Sequence, residues 1–232
     1  MFPRIDFLRR QFFANRPSVC LEAALAKTRI FRETEGEALI LRRAKSFRET
    51  CRTKTVTIQP QELIVGNAGA RARQACITPE LSNNWFVREL DTMRDRPQDP
   101  YDITEAQKAQ YREEIYPYWR GKSLRDIWEK QVPADTMALI RVGGVVDCGV
   151  KVESAPSELN PNFRDHLFVK GYAGIRREAE TALAALDLSD VRNLERRDFW
   201  QAAAIACEGM ETLAARYADE AERLAAKEAD AA

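Results

Sequence analysis

The stretch Glu114-Ile-Tyr-Pro-Tyr-Trp-Arg-Gly-Lys-Ser-Leu-Arg-Asp126 gathers four aromatic or β-branched side chains around one proline, then turns polar. It closes an amphipathic helical pattern that opens at Thr104, where Thr104 and Gln107 stand at capping-box spacing. Its aromatics join Trp85, Phe86 and Trp128 in a set at helical or proline-bounded spacings. Side chains so placed serve as packing anchors rather than stacking platforms, so this segment is expected to seed the core.

Outward from it, Arg96-Pro97-Gln98-Asp99-Pro100 breaks any helix crossing it and separates the pattern from another over Pro79 to Asp91. From Pro17 to about Arg52, apolar residues recur at three- and four-residue spacing, predicting two helices with Gly36 between them. Over Thr53 to Asn67 the period changes. Thr55-Val56-Thr57-Ile58 and Leu63-Ile64-Val65 are short β-branched runs, read as two short strands or extended segments. Ala138 to Phe163 is apolar and glycine-rich, then carries Pro156 and Pro161, so extended or loop structure is expected there. The helical period resumes at His166, and Asp198 to Ala232 reads as one or two alanine-rich, solvent-facing helices. Leu224-Ala-Ala-Lys-Glu-Ala-Asp-Ala-Ala232 stops in mid-pattern without a capping glycine or terminating proline, and is read as a helix cut short.

The 232 residues are 45% hydrophobic and 31% charged, with 36 basic and 36 acidic side chains. That composition excludes intrinsic disorder, and a zero net charge gives no global reason to seek nucleic acid or an anionic membrane. No twenty-residue apolar run is present, and the N-terminus lacks the pattern of a secretory signal, so the chain reads as cytoplasmic, with a small-molecule or protein partner. Five scattered cysteines and one histidine make reduced thiols the default and give no zinc spacing. Cys207 beside Glu208 lies inside an apolar helical pattern and is read as packing; Cys148 stands next to Asp147, which opposes thiolate formation. His166 has no second histidine to work with and is given a surface or capping role. Gly66-Asn-Ala-Gly-Ala-Arg71 lacks a complete phosphate-loop fingerprint and is read as a turn.

A series of word-like segments, in order, resembles the N-terminal part of the pyruvate formate-lyase-like glycyl radical enzymes. The resemblance is to the branch of glycerol and propanediol dehydratases, choline trimethylamine-lyase and isethionate sulfite-lyase. The segments are Pro17-Ser-Val-Cys-Leu-Glu22, Phe31-Arg-Glu-Thr-Glu-Gly-Glu37, Leu41-Arg-Arg-Ala-Lys45, Glu62-Leu-Ile-Val-Gly-Asn67, Glu89-Leu-Asp91, Arg96-Pro-Gln-Asp-Pro100, Glu114 to Asp126, Ile205-Ala-Cys-Glu208, Ala215-Arg-Tyr-Ala218 and Ala225-Ala-Lys-Glu-Ala-Asp230. The resemblance implies a ten-stranded α/β barrel, of which residues 1–232, the N-terminal portion of a pyruvate formate-lyase-like domain cut short at its C-terminus, would be mostly α-helical with a few short strands. It also implies a glycyl radical installed by a radical S-adenosylmethionine activase, a cysteine thiyl that takes hydrogen from a small hydroxylated substrate, and a homodimer at full length. Water, an amine or sulfite would then leave, with a glutamate as general base.

The sequence departs from that pattern in having neither a Gly-Cys-Val-Glu-like loop nor an Arg-Val-x-Gly-Tyr-like loop. No catalytic residue, metal ligand or bound cofactor is therefore expected within it, and none of its cysteines inherits the thiyl role. By resemblance, the part that reaches the substrate cavity is Arg141 to Phe163, ahead of Pro161-Asn162-Phe163, with Arg141, Asp147 and Glu158 as substrate-binding candidates. A carboxylate there suits a hydroxyl or cationic amine, and an arginine fork suits a sulfonate or carboxylate. Two other readings stand beside this one: a stand-alone helical interaction or assembly module, and a carbon–carbon lyase of the formate acetyltransferase type.

Overall fold

The computed structural model describes residues 2–143 and 163–228. Helix α1, Pro3–Ala14, starts with proline, whose fixed φ and missing N–H cost nothing in a first turn. Strand β1, Ser18–Cys20, leads into α2, Glu22–Glu33, and α3, Leu39–Thr53. The two helices divide at Gly36 as the periodicity predicts, and its φ of 93° is a left-handed turn that suits a residue without Cβ. Helix α2 turns Ala24, Thr28 and Phe31 inward, a single stripe of the 3.6-residue repeat.

The strand expectation needs correcting. Thr55–Ile58 and Leu63–Val65 belong to no strand, and Ile64 is 88% exposed. The strands are β1 and β2, Gln74–Cys76, which pair in parallel with Val19 opposite Ala75 and Cys20 opposite Cys76. β-branched composition marks residues that suit a pleated surface, but a strand exists only where a partner supplies the ladder. Asp102 extends this pair: its carbonyl accepts from the Val19 N–H (3.0 Å) and its own N–H donates to Pro17 (2.8 Å).

Helix α4, Asn84–Glu89, is shorter than the Pro79–Asp91 pattern, and the proline segment 96–100 breaks the chain as expected. Helix α5, Glu105–Gln110, carries the Thr104–Gln107 capping box. Beyond it the continuous helix read to Arg125 is interrupted. A π-helical turn spans Tyr111–Ile115, α6 covers Tyr116–Trp119, Gly121 turns at φ 76°, and α7, Leu124–Gln131, restarts under a second capping box from Ser123 to Asp126. Asp126 is buried and accepts from the Asn84 amide (2.6 Å), the Gly121 N–H (3.1 Å) and the Ser123 hydroxyl (2.6 Å).

Helix α8, Ala134–Gly143, is a further correction, since its second half falls in the segment expected to be extended. A helix already nucleated behind Pro133 gains one hydrogen bond per residue added, which outweighs the weak preferences of Ile140 and Val142. A second π-helical turn, Phe163–Leu167, precedes α9, Phe168–Ala184, which is kinked at Gly171, and α10, Asn193–Ala225, completes the described chain.

Aromatic packing makes the core of the N-terminal part. Phe86 meets Tyr111 edge-on at 4.5 Å, and Trp119 lies 5.0 Å from Phe31, with Leu90 and Ile115 wholly buried in the same cluster. Each fully buried ring contributes about 1.5–3 kcal/mol. Their polar atoms are matched: the Tyr111 hydroxyl donates to the Asn83 side-chain oxygen, and the Trp119 indole N–H to Thr28 Oγ1 at 2.9 Å. Trp128 departs from the aromatic reading, standing outside this cluster under the Arg125 guanidinium. A second packing unit joins α3, α9 and α10. Here Gly209 is required by close approach, because a Cβ on it would lie 2.9 Å from the Arg48 Cα. Arg216 from α10 caps the end of α3 by donating to the Cys51 and Lys54 carbonyls at 2.7 Å each.

Two substitutions test these units in urea unfolding. Tyr111→Phe leaves a buried amide oxygen without a donor and should cost about 1–3 kcal/mol. Gly209→Ala forces α3 from α10 and should cost about 1–3 kcal/mol. An effect near zero for either would show that the contact is not held in solution.

Candidate functional site

The residues proposed from sequence to bind substrate have their side chains outside the described residues. Arg141 falls in the last turn of α8, and its side chain lies outside the described residues, as do Asp147, Glu158 and Cys148. His166 is exposed in the π-helical turn 163–167, in keeping with a surface role. Gly66 to Arg71 forms an irregular turn in which Asn67 is held from both sides, its amide donating to Glu62 and its carbonyl accepting from the Lys54 ammonium at 2.5 Å. No group of three metal-ligating side chains occurs among the described residues.

Cys207 is buried in α10, and Cys51 is buried in α3. Burial pushes both thiols above their ordinary range, because a thiolate would lose its hydration there. Both therefore pack as small apolar groups, which bears out the reading of Cys207 as packing despite the adjacent Glu208.

One feature had no signal in the sequence. Cys20 and Cys76 are register partners on the parallel strands, and one residue, Leu21, separates Cys20 from α2. The Cys76 S–H, offered to Cys20 and otherwise to the Ala68 carbonyl at 3.2 Å, pulls the Cys20 thiol below its ordinary range, against the opposing effect of burial. The Glu22 backbone N–H and the Lys54 ammonium act in the same direction, and the negative charge of the Glu22 carboxylate opposes them. The Cys76 thiol moves the other way, held protonated by its contact with Cys20 and by burial.

A groove of about 980 Å³ lies between α2, α3, α7 and α10. Its floor is Phe31 and Trp119, and its lips are Leu39, Phe47, Ile127 and Phe199. Its charges engage one another: Lys27 pairs with Glu80, Lys122 with Glu35 at 3.2 Å, and Arg42 lies 4.5 Å over Phe31 while donating to the Tyr118 hydroxyl (2.9 Å). The lining holds neither cysteine nor histidine.

These features define a helical framework with one short parallel strand pair and no assembled reaction centre among the described residues. The family model for pyruvate formate lyase-like proteins matches residues 1–232, and the chain belongs to that family. It is 32% identical over 237 residues to an isethionate sulfite-lyase of Desulfovibrio desulfuricans, a match covering 98% of this chain and 28% of that protein. Among solved structures it is similar to the glycerol-bound B12-independent glycerol dehydratase from Clostridium butyricum, with a TM-score of 0.88 and 28% identity over 98% of this chain and 29% of that one. It is likewise similar to a glycyl radical enzyme from Archaeoglobus fulgidus, with a TM-score of 0.87 and 28% identity over the same shares. The resemblance and the fold class read from sequence are thus borne out, and the chain spans under a third of the length of these proteins.

The burial of Cys51 and Cys207 has two measurable consequences. At pH 8 both should react with iodoacetamide about ten-fold or more slower in the folded chain than in urea. Each keeps its proton longer when folded, so the stability it contributes is intact below the ordinary value of 9.0 and lost as pH rises beyond it. Buried Tyr111 and Tyr217, also raised, add to that loss above 10.0, so the melting temperature should decline from pH 9 upward. Fast native alkylation, or a melting temperature that does not move, would contradict this.

Proposed function

We propose that this chain is the N-terminal portion of an anaerobic glycyl radical lyase or dehydratase that eliminates water, an amine or sulfite from a small hydroxylated substrate. The observation that carries the reading is the family match along residues 1–232, together with a match over 98% of this chain to a sulfite-lyase of which it covers only 28%. The exposed surface supports it. Phe13, Ile64 and Phe168 are 70%, 88% and 82% exposed, and side chains of this size ordinarily find cover in a complete fold.

Neither the cysteine loop nor the glycyl loop of the resemblance occurs in this sequence, so no step of the radical chemistry is assigned to its residues. That chemistry, hydrogen abstraction from substrate, belongs on this reading to the remainder of the parent, activated by a radical S-adenosylmethionine enzyme. The parent would act as a homodimer in the cytoplasm. No helix among the described residues is long and apolar enough to cross a membrane. This chain's share is to build part of the wall and to place Arg141, Asp147 and Glu158 toward the substrate. An arginine there would bind an anionic substrate in a bidentate fork, and the carboxylates would accept from a hydroxyl or ammonium.

Capture of the native polypeptide from its source, grown without oxygen, followed by intact mass measurement tests the first half of the proposal. A mass several-fold above 26.5 kDa is expected, and a mass near 26.5 kDa would replace the reading with a stand-alone interaction module. In the full-length enzyme, alanine at Arg141, Asp147 or Glu158 should raise KM for at least one position by about ten-fold or more, as loss of a charged substrate contact does. Unchanged KM at all three would remove them from the pocket.

A further inference from the structure

The geometry points to a redox-modification site that is separate from the proposed reaction: we propose that Cys20 and Cys76, register partners on the parallel strands β1 and β2, close reversibly into a disulfide when the protein meets a peroxide. Neighbouring strands run about 4.8 Å apart, and register partners project to the same face, so the two Cα atoms fall inside the 4.4–6.8 Å window that a disulfide spans without backbone movement. Both sulfurs are reduced in this structure, and Cys76 is the less buried of the two, so a small neutral oxidant reaches the pair from its side. The neighbours suit the chemistry. Cys20 sits ahead of α2, where the Cys76 S–H, the Glu22 backbone N–H and the Lys54 ammonium favour its thiolate against the opposing effects of burial and the Glu22 carboxylate. Cys51 and Cys207 have no such setting, being buried in α3 and α10 with thiols that burial holds protonated.

The step balances with hydrogen peroxide as the oxidant. The Cys20 thiolate attacks one peroxide oxygen, an S–O bond forms as the O–O bond breaks, and the departing hydroxide takes a proton to become water. The Cys76 sulfur then attacks the Cys20 sulfur. The S–S bond forms as the S–O bond breaks, and the second hydroxide leaves with the Cys76 proton as water. Two thiols are oxidised and one peroxide is reduced to two waters. The product closes the chain from Leu21 to Ala75, which holds α2, α3 and the Glu62–Asn67 turn, into a covalent loop and prevents β1 from parting from β2.

The test uses the chain purified under reductant, desalted, exposed to hydrogen peroxide, then denatured, alkylated and mapped by mass spectrometry. The expected result is a Cys20–Cys76 linked peptide as the main product, a chain lighter by two hydrogen atoms, loss of two free thiols, and full reversal by dithiothreitol. Its melting temperature should rise by about 10 °C relative to the reduced form. Cys76→Ser should abolish the link and leave Cys20 to advance to sulfinic acid, while Cys51→Ser should leave the link intact. The proposal is overturned if peroxide consumes thiols only as sulfinic acids or as chain-to-chain disulfides. It is equally overturned if all thiols survive peroxide in excess.

Discussion

The Tyr111 hydroxyl and the Asn83 amide meet where both residues are wholly buried, and the N-terminal part of the fold is arranged around that meeting. Either group alone would carry the full cost of an unmatched polar atom in an apolar interior, so the two segments that bear them must arrive together. Asn83 stands just ahead of α4, and its amide N–H also reaches the Tyr116 carbonyl at 3.4 Å. Tyr111 opens the π-helical turn, whose wider winding shifts the helix face so that Ile115 and Trp119 follow it inward. Trp119 then extends the same logic to α2. Its indole N–H is matched by Thr28, whose own hydroxyl donates to the Ala24 carbonyl at 2.6 Å. Three segments far apart in sequence are thus fixed by rings that carry one polar atom each.

Strands β1 and β2 depend on this frame rather than supporting it. Three residues a side would not hold a parallel pair in water. Here the pair is buttressed by Asp102 on one edge and by the Gln107 amide, which donates to the Val19 carbonyl at 3.0 Å. Gln107 is also the third residue of the α5 capping box, so one side chain both starts a helix and steadies a strand. The α3–α10 packing is held on different terms, by a close backbone approach at Gly209 and the arginine cap at the end of α3.

What the sequence made legible were the features encoded locally. The helices 22–33, 39–53 and 193–225 follow from repeats of three and four, and Gly36 and the proline segment 96–100 punctuate them. What it concealed depended on partners. Ser18-Val-Cys20 is too short to show a period, and its ladder partner lies beyond two helices. Leu63-Ile-Val65 has strand composition, yet its ends are drawn together through Glu62 and Asn67, so the run projects outward as a loop. Gly143-Gly144 suggested a break that α8 reaches only at its final residue. For the site, composition gave nothing. Arg141, Asp147 and Glu158 came from family resemblance, while the juxtaposition of Cys20 and Cys76 needed a register that no spacing encodes.

The exposed apolar side chains bear on whether this chain is a part or a whole. Some line the groove between helices, as Leu39, Phe47, Ile127 and Phe199 do, while others stand apart from it: Phe12 and Phe13 end α1, Leu63 to Val65 crown a loop closed by polar side chains, and Phe168 and Val169 begin α9. Phe12 is partly engaged by the Arg73 guanidinium at 4.1 Å, whereas Leu63 and Ile64, 77% and 88% exposed on their loop, could be exchanged for polar residues with little loss of packing. A product selected to remain soluble by itself would shed such groups at little structural cost. Their retention supports the proposed reading of a framework covered by further chain, beside a match that spans 98% of this sequence and 28% of its relative.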